Sequence, residues 1–334
     1  MSLPSRKIGN AKVSAIGYGA MGISVGYGDP LPDEERFKIL DAVFASGVRM
    51  IDTADIYADS EDLIGKWLKR SGKRSEMFIA TKFGFTPSNT IDASPKRVGE
   101  ALESSLKRLG VDCIDLFYLH RVDTTVPIEH TVAAMAEGVK AGKIKYLGLS
   151  ECSAATLRRA YAVHPIAAVQ CEYSAFTLDI EDPKIGLLKA ARELGVTVVA
   201  YAPLGRGLIT GQYKSPDDFD KDDFRRSINR YSHENFPNIL KLADGLKKIG
   251  EKHGATAGQV ALAWLLAQGE DIIPIPGTTK IKYLEENVAA IKVQLTPADL
   301  QEVRDVANKA DAAQGDRYPA SIVGLLFADT PELK

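Results

Sequence analysis

Eight short runs rich in β-branched and aromatic residues recur along this chain, with helical patterns between them. They read VSAIGYG from Val13, RMID from Arg49, MFIATKF from Met77, IDLFYLH from Ile114, KYLGLS from Lys145, AAVQCEY from Ala167, VTVVAYA from Val196 and DIIPIPG from Asp271. The intervening segments carry helix punctuation. PDEERFKILDAVFASG has Pro32 near its start and Gly47 at its stop, and PKRVGEALESSLKRLG has Ser94 as cap and Gly110 as terminator. Repeated βα units with apolar strands imply a parallel sheet covered by helices. Eight of them in 334 residues predict an α/β chain closed into a (β/α)8 TIM barrel, one domain over 1–334. An open doubly wound sheet is the rival. Against it, the glycine-rich stretch after the first strand, GYGAMGISVGYGDP, does not lead at once into a helix.

Composition narrows the partners. Forty-two basic residues against 44 acidic ones give a net charge of -2, which offers no general attraction to nucleic acid or anionic membrane. MSLPSRKIGNAK lacks an apolar signal core, and no stretch approaches the roughly 20 apolar residues of a membrane span, so a cytoplasmic protein is expected. Cys113, Cys152 and Cys171 form no C-x-x-C pair and read as packed thiols. His130, His164, His233 and His253 show no metal-ligand spacing, so no metal is expected.

In a closed barrel the C-terminal strand ends converge on one face. Those ends carry Asp52, Lys82, His120, Ser150 with Glu151, Gln170 and Tyr201, and Tyr57 lies in the loop beyond Asp52. Each has an ordinary structural use when taken singly. Together they suit one reaction. An ammonium beside a phenol favours its ionised form and moves its pKa toward working pH, and a carboxylate keeps that ammonium charged and oriented. Lys82 and Asp52 fill these roles for Tyr57, while His120 donates to a carbonyl oxygen. No protein nucleophile is required if the attacking group is a hydride from a bound cofactor. The segment Pro203 to Phe236 is longer than the roughly 12–15 residues usual for structureless loops. Its DDFDKDD and RR read either as a solvated face or, with the glycines of PLGRGLITG, as backbone approaching a ligand.

The motifs DTADIYADSEDLIG, ATKFG and DLFYLHRVD, followed in order by GKIKYLGLSECS, VQCEYS, AYAPLGRGLITG and PIPGTTKIKYLEENV, resemble the aldo-keto reductase superfamily over nearly the whole chain. In detail they are similar to its perakine reductase-like and fungal group. The resemblance implies a catalytic tetrad of Asp52, Tyr57, Lys82 and His120, and NADPH/NADP+ held across the barrel mouth. Ser150 and Gln170 would bond the nicotinamide carboxamide, with Tyr201 stacked on the ring and Met21 and Asp52 as further contacts. Pro203, Leu204, Gly205 and Gly207 would line the pyrophosphate. Gly277, Thr278, Thr279 and Lys280 would surround the 2'-phosphate, with Glu286 and Asn287 near the adenine. Many relatives have asparagine where this chain has Glu151, and arginine or histidine where it has Tyr283.

The activity so implied is reduction of a small-molecule aldehyde or ketone, with Tyr57 as general acid, reversible as alcohol oxidation. Two alternatives stand beside it: a Schiff-base aldolase using Lys82, and a cofactor-sensing binding protein like the superfamily's potassium-channel β-subunits. The tail 311–334, with its arginine, tyrosine and apolar run, is placed either over the barrel mouth or against the wall. Met21, Tyr27 and Trp67 are candidates for the pocket or the core.

Overall fold

The computed structural model describes residues 3–334. A hairpin of β1 (Ser5–Ile8) and β2 (Ala11–Ser14) precedes eight parallel strands. These are β3 (Tyr18–Gly19), β4 (Met50–Asp52), β5 (Phe78–Phe83), β6 (Ile114–Leu119), β7 (Ile144–Ser150), β8 (Ile166–Glu172), β9 (Thr197–Tyr201) and β10 (Ile272–Pro274). Each pairs with the next in sequence. The amides of Gly17 and Gly19 then donate to the carbonyls of Pro274 (2.9 Å) and Pro276 (3.3 Å), which joins the last strand to the first. The sheet is thus a closed (β/α)8 barrel.

Helices α1 (Asp33–Ala45), α2 (Ser60–Ser71), α3 (Pro95–Leu109), α4 (Ile128–Lys140), α5 (Ala154–Val163) and α6 (Leu187–Leu194) follow successive strands. Between β9 and β10 lie α7 (Phe236–His253) and α8 (Ala257–Leu266), and α9 (Ile281–Ala289), α10 (Pro297–Ala310) and α11 (Ala320–Val323) complete the chain. The Ser94 hydroxyl accepts from the Arg97 amide at the start of α3, and Gly110 ends that helix at φ 63°. One expected strand divides. The run from Val13 splits between the hairpin and the barrel, because Ala15–Gly17 crosses from the barrel floor to meet Pro274 and leaves only Tyr18–Gly19 in register with β4.

Residues two apart on a strand share a face, and Phe78 with Ala80, Leu116 with Tyr118, and Ile273 with Ile275 pack into one interior cluster with Met50, Ala168 and Val199. The same period carries Asp52, Lys82, His120, Gln170 and Tyr201 to the interior at the opposite, C-terminal end. The hairpin closes the floor. Ile8 and Val13 join the interior cluster, and the Arg6 guanidinium donates to the carbonyls of Leu266 (2.6 Å) and Ile272.

The segment after β9 is built rather than slack. It forms 3-10 turns at Gly205–Thr210, Pro216–Asp218, Phe224–Ser227 and Asn229–Tyr231. Most of its aspartates face solvent. Asp223 and Arg225 are buried and pair at 2.6 Å, with the guanidinium 4.4 Å from the ring centres of both Tyr213 and Phe219.

The tail beyond α10 runs over the mouth and is fastened at two places. Arg317, 2% exposed, donates two parallel hydrogen bonds to Glu151 (2.9 and 2.8 Å) and lies 3.4 Å from Glu172 and 3.3 Å from Asp179. Farther on, the Ala328 carbonyl accepts from the Ser153 amide (3.1 Å), and Arg159 donates to the carbonyls of Thr330 (2.9 Å) and Pro331 (2.5 Å). Glu151 itself sits at φ 52°, left-handed backbone that is unfavourable for a residue with a side chain, and the bidentate pair holds it there.

Two stability outcomes follow. Gly65→Ala places a methyl 2.4 Å from the Arg108 carbonyl where α2 meets α3, so denaturant melts should show a loss of ~1–3 kcal/mol. Arg317→Met strands two fully buried carboxylates, and the expected cost is ~3–5 kcal/mol in the same assay, with earlier proteolytic clipping of the tail.

Candidate functional site

Strand β4 ends in Asp52, and β5 brings Lys82 to the same interior face, two residues beyond the register partner of Asp52. Lys82 Nζ donates to Asp52 Oδ1 (2.5 Å) and the Thr53 carbonyl (2.7 Å), and lies 3.5 Å from the Tyr57 hydroxyl. Gln170 Nε2 donates to the other Asp52 oxygen at 2.8 Å. Asp52 therefore has a partner on each oxygen and orients the ammonium toward the phenol. His120, at the end of β6, stands edge-on to Tyr57 with ring centres 5.7 Å apart, and edge-on to Phe85 at 5.1 Å.

Electrostatics assign protons to these groups. Burial opposes a charge on Lys82, but Asp52 and the Tyr57 oxygen more than offset it and hold the ammonium above its ordinary value. Burial leaves the Asp52 carboxyl above the usual carboxylate range despite the pull of Lys82 and Gln170. For Tyr57 the outcome differs from the expected lowering. Desolvation pushes the phenol up, and Lys82 only partly opposes this because it also serves Asp52 and the Thr53 carbonyl. The tyrosine thus keeps its proton. Burial, then the nearby Lys82 and Arg121 charges, push His120 well below the usual histidine range, so its imidazole is neutral.

These groups open onto a cavity of about 630 Å³ at the C-terminal face. Its wall includes Met21, Asp52, Tyr57, His120, Ser150, Gln170 and Tyr201 at one end. It continues past Pro203, Leu204 and Gly207 to Gly277, Thr278, Thr279, Lys280, Glu286 and Asn287. Two of the expected residues are not on the wall. Lys82 lies behind Tyr57, 3.5 Å from its hydroxyl. Gly205 is buried, and a Cβ there would lie 2.6 Å from the Phe176 ring, so its glycine meets a packing need and a φ of 55°.

Several contacts depart from expectation or went unrecognised in the sequence. Gln170 supports Asp52, and the Ser150 hydroxyl accepts from Arg121 at 3.2 Å. Glu151 does not face the cavity but is tied to Arg317 and to the Tyr201 hydroxyl (2.7 Å). Tyr27, a pocket candidate in the sequence, is on the wall, and Tyr318, Ile322, Arg121, Arg206 and Tyr283 line it too. The arginine and tyrosine of the tail were the one sequence signal for the Tyr318 wall. Trp67 is core, its indole donating to Asp41 at 2.8 Å. Cys152 and Cys171 are fully buried, and burial pushes both thiols up.

The residues present suit a dinucleotide. The start of α9 at Ile281 offers N–H groups beside Thr278–Lys280, the glycine turn at Leu204–Gly207 borders the cavity, and a Cβ on Gly277 would lie 2.5 Å from the Gly19 carbonyl, so the chain stays narrow there.

Comparison with known proteins identifies the family. Residues 15–308 match the Aldo/keto reductase family. The chain is 61% identical to aldo-keto reductase str7 of Strobilurus tenacellus, covering 100% of this chain and 99% of that protein. It is 49% identical to aldo-keto reductase yakc [NADP(+)] of Schizosaccharomyces pombe, over 100% of this chain and 99% of the relative. Among solved structures, a glycerol dehydrogenase of Gluconobacter oxydans superposes with a TM-score of 0.83 at 28% identity, covering 93% of this chain and 97% of its own. A thermostable aldo-keto reductase solved with the inhibitor epalrestat gives 0.75 at 30% identity, over 91% of this chain and 100% of that one. On sequence, fold and the arrangement of its strand ends, the chain belongs to the aldo/keto reductase family.

Proposed function

We propose that this protein reduces aldehydes or ketones to alcohols with NADPH, with Tyr57 as the proton donor. The observation that carries the reading is the Tyr57 hydroxyl and the His120 imidazole facing one cavity, with Lys82 Nζ 3.5 Å behind the phenol oxygen. When bound, the nicotinamide supplies the hydride. The substrate carbonyl oxygen lies between the Tyr57 hydroxyl and the His120 N–H, and both donors stabilise the charge that grows on it. Tyr57 then gives up its proton. Lys82 stabilises the resulting phenolate, and Asp52, fixed by Gln170, keeps Lys82 in place. Ser150 and Gln170 are assigned to the carboxamide, and Tyr201 to the ring face. Pro203, Leu204 and Gly207 are assigned to the pyrophosphate, Gly277 to Lys280 to the 2'-phosphate, and Glu286 and Asn287 to the adenine. The name of the yeast relative supports NADP.

The aldolase alternative fits less well. A Schiff base needs a neutral amine open to the substrate, whereas Lys82 is 1% exposed, charged and held by Asp52 and the Thr53 carbonyl.

The reading is tested by titrating purified protein with NADPH and following turnover of an aldehyde panel. Tyr57→Phe should lose ~10²- to 10⁴-fold in kcat with cofactor affinity nearly unchanged, and wild-type turnover in that variant would remove Tyr57 as the acid. The pH dependence has a defined sign. Tyr57 is raised and His120 lowered, so both hold their working protonation states across neutrality. Reductive kcat should be flat from about pH 6 to about pH 9 and fall only on the alkaline side, as the phenol loses its proton. A limb centred near pH 7 would contradict the assignment.

A further inference from the structure

Three of the buried guanidinium groups in this protein have a close carboxylate of their own. Arg317 is bidentate on Glu151, Arg225 pairs with Asp223, and Arg36 pairs with Asp59. Two on the cavity wall differ. Arg121, the residue after His120, is 4% exposed, and its Nη1 donates only to the His120 carbonyl (2.7 Å) and the Ser150 hydroxyl (3.2 Å). Its Nε is buried without a partner, and among the described residues no carboxylate forms an ion pair with it. Glu151 is near enough to act on it electrostatically, but both Glu151 oxygens are taken by Arg317.

Arg206 has a side chain only 5% exposed, and its one acidic neighbour is a Glu172 oxygen at 3.8 Å. Glu172 already accepts from Thr177 (3.0 Å) and Arg317 (3.4 Å). Arg121, with no carboxylate partner, and Arg206, with only the shared and distant Glu172, converge on one aromatic ring. The Arg121 and Arg206 guanidinium carbons lie 5.7 and 4.8 Å from the centre of the Tyr318 ring, whose hydroxyl bonds that of Tyr201 at 3.1 Å. A desolvated cation without an anion is costly, and a planar guanidinium facing a cavity is suited to a carboxylate.

We propose that Arg121 and Arg206, both against Tyr318, receive the carboxylate of the substrate, so that the preferred substrates are oxo-acids whose aldehyde or ketone reaches Tyr57 and His120. The inference rests on the reductase reading above and names its substrate class. Arg121 anchors the site because it adjoins His120. Arg206 closes it from the loop after β9.

The test compares 4-carboxybenzaldehyde with 4-formylbenzamide, its uncharged near-isostere, on the wild-type protein and on Arg121→Met, Arg121→Lys and Arg206→Met, with NADPH affinity measured in parallel. The wild type should favour the acid in kcat/KM by ~10-fold or more, and Arg121→Met should bring the ratio toward one through a ~10- to 100-fold loss on the acid. Arg121→Lys should keep part of the preference. A wild-type ratio of one or below overturns the proposal whether or not the variants fold, and so does a ratio that survives both methionine substitutions. Weaker NADPH binding by Arg206→Met at an unchanged ratio would give Arg206 to the cofactor phosphates and overturn its share. If neither aldehyde nor any other carbonyl compound is reduced, the reductase reading itself fails and takes the subsite with it.

Discussion

The ion pair between Lys82 and Asp52 is the constraint around which this barrel is organised. Taking two charges out of water is expensive, and the return is adequate only when geometry is good and the remaining hydrogen-bonding capacity is filled. The strands meet that condition. The register of β4 and β5 sets the two side chains on one interior face, the Thr53 carbonyl takes a second lysine proton, and Gln170 reaches across from β8 to the free carboxylate oxygen. Below, Tyr118 fills the space that Gly148 leaves, where a Cβ would lie 2.3 Å from its ring. The pair thus rests on a packed floor and points its remaining donor direction at Tyr57.

A second charged layer sits above the first and has a different purpose. Glu151, Glu172 and Arg317 are nearly inaccessible, and they tie β7, β8 and the tail together around the Tyr201 hydroxyl. Low dielectric makes such a network strong when complete and costly when broken. It fixes the orientation of Tyr201 and Tyr318, and so the shape of the wall that any ring or substrate would meet. The lower layer governs proton placement, and the upper one governs shape.

The parts of this arrangement that were legible in the sequence are those set by local period and by strand ends. The barrel and the convergence of Asp52, Lys82, His120 and Gln170 follow from counting along strands, and the resemblance singled out Tyr57 in the loop after β4. What escaped depends on pairing over distance. Arg317 and Glu151 are 166 residues apart, and nothing near either one names the other. Arg121 carried no signal because an arginine at a strand end is usually solvated, and its importance lies in the acceptor it lacks. The motif around Gly205 suggested ligand contact, yet Phe176 beneath it explains the glycine. The Tyr57 shift was misjudged because the sequence shows the neighbouring ammonium but not the depth of burial.

The seam between β3 and β10 has a bearing on how the protein is made. The Gly17 amide meets the Pro274 carbonyl, and Arg6 reaches the carbonyl of Leu266, so the two margins of the sheet come from opposite ends of the chain. During synthesis the first seven barrel strands are complete by Tyr201, while the eighth follows only after the 3-10 turns and two further helices. A sheet assembled from those seven strands alone would leave both margins unpaired, and unpaired margins are open to pairing with a neighbouring chain. Contacts of such long sequence separation also form slowly. Closure of the barrel at its glycine-lined first strand therefore waits on β10, more than 250 residues farther along the chain.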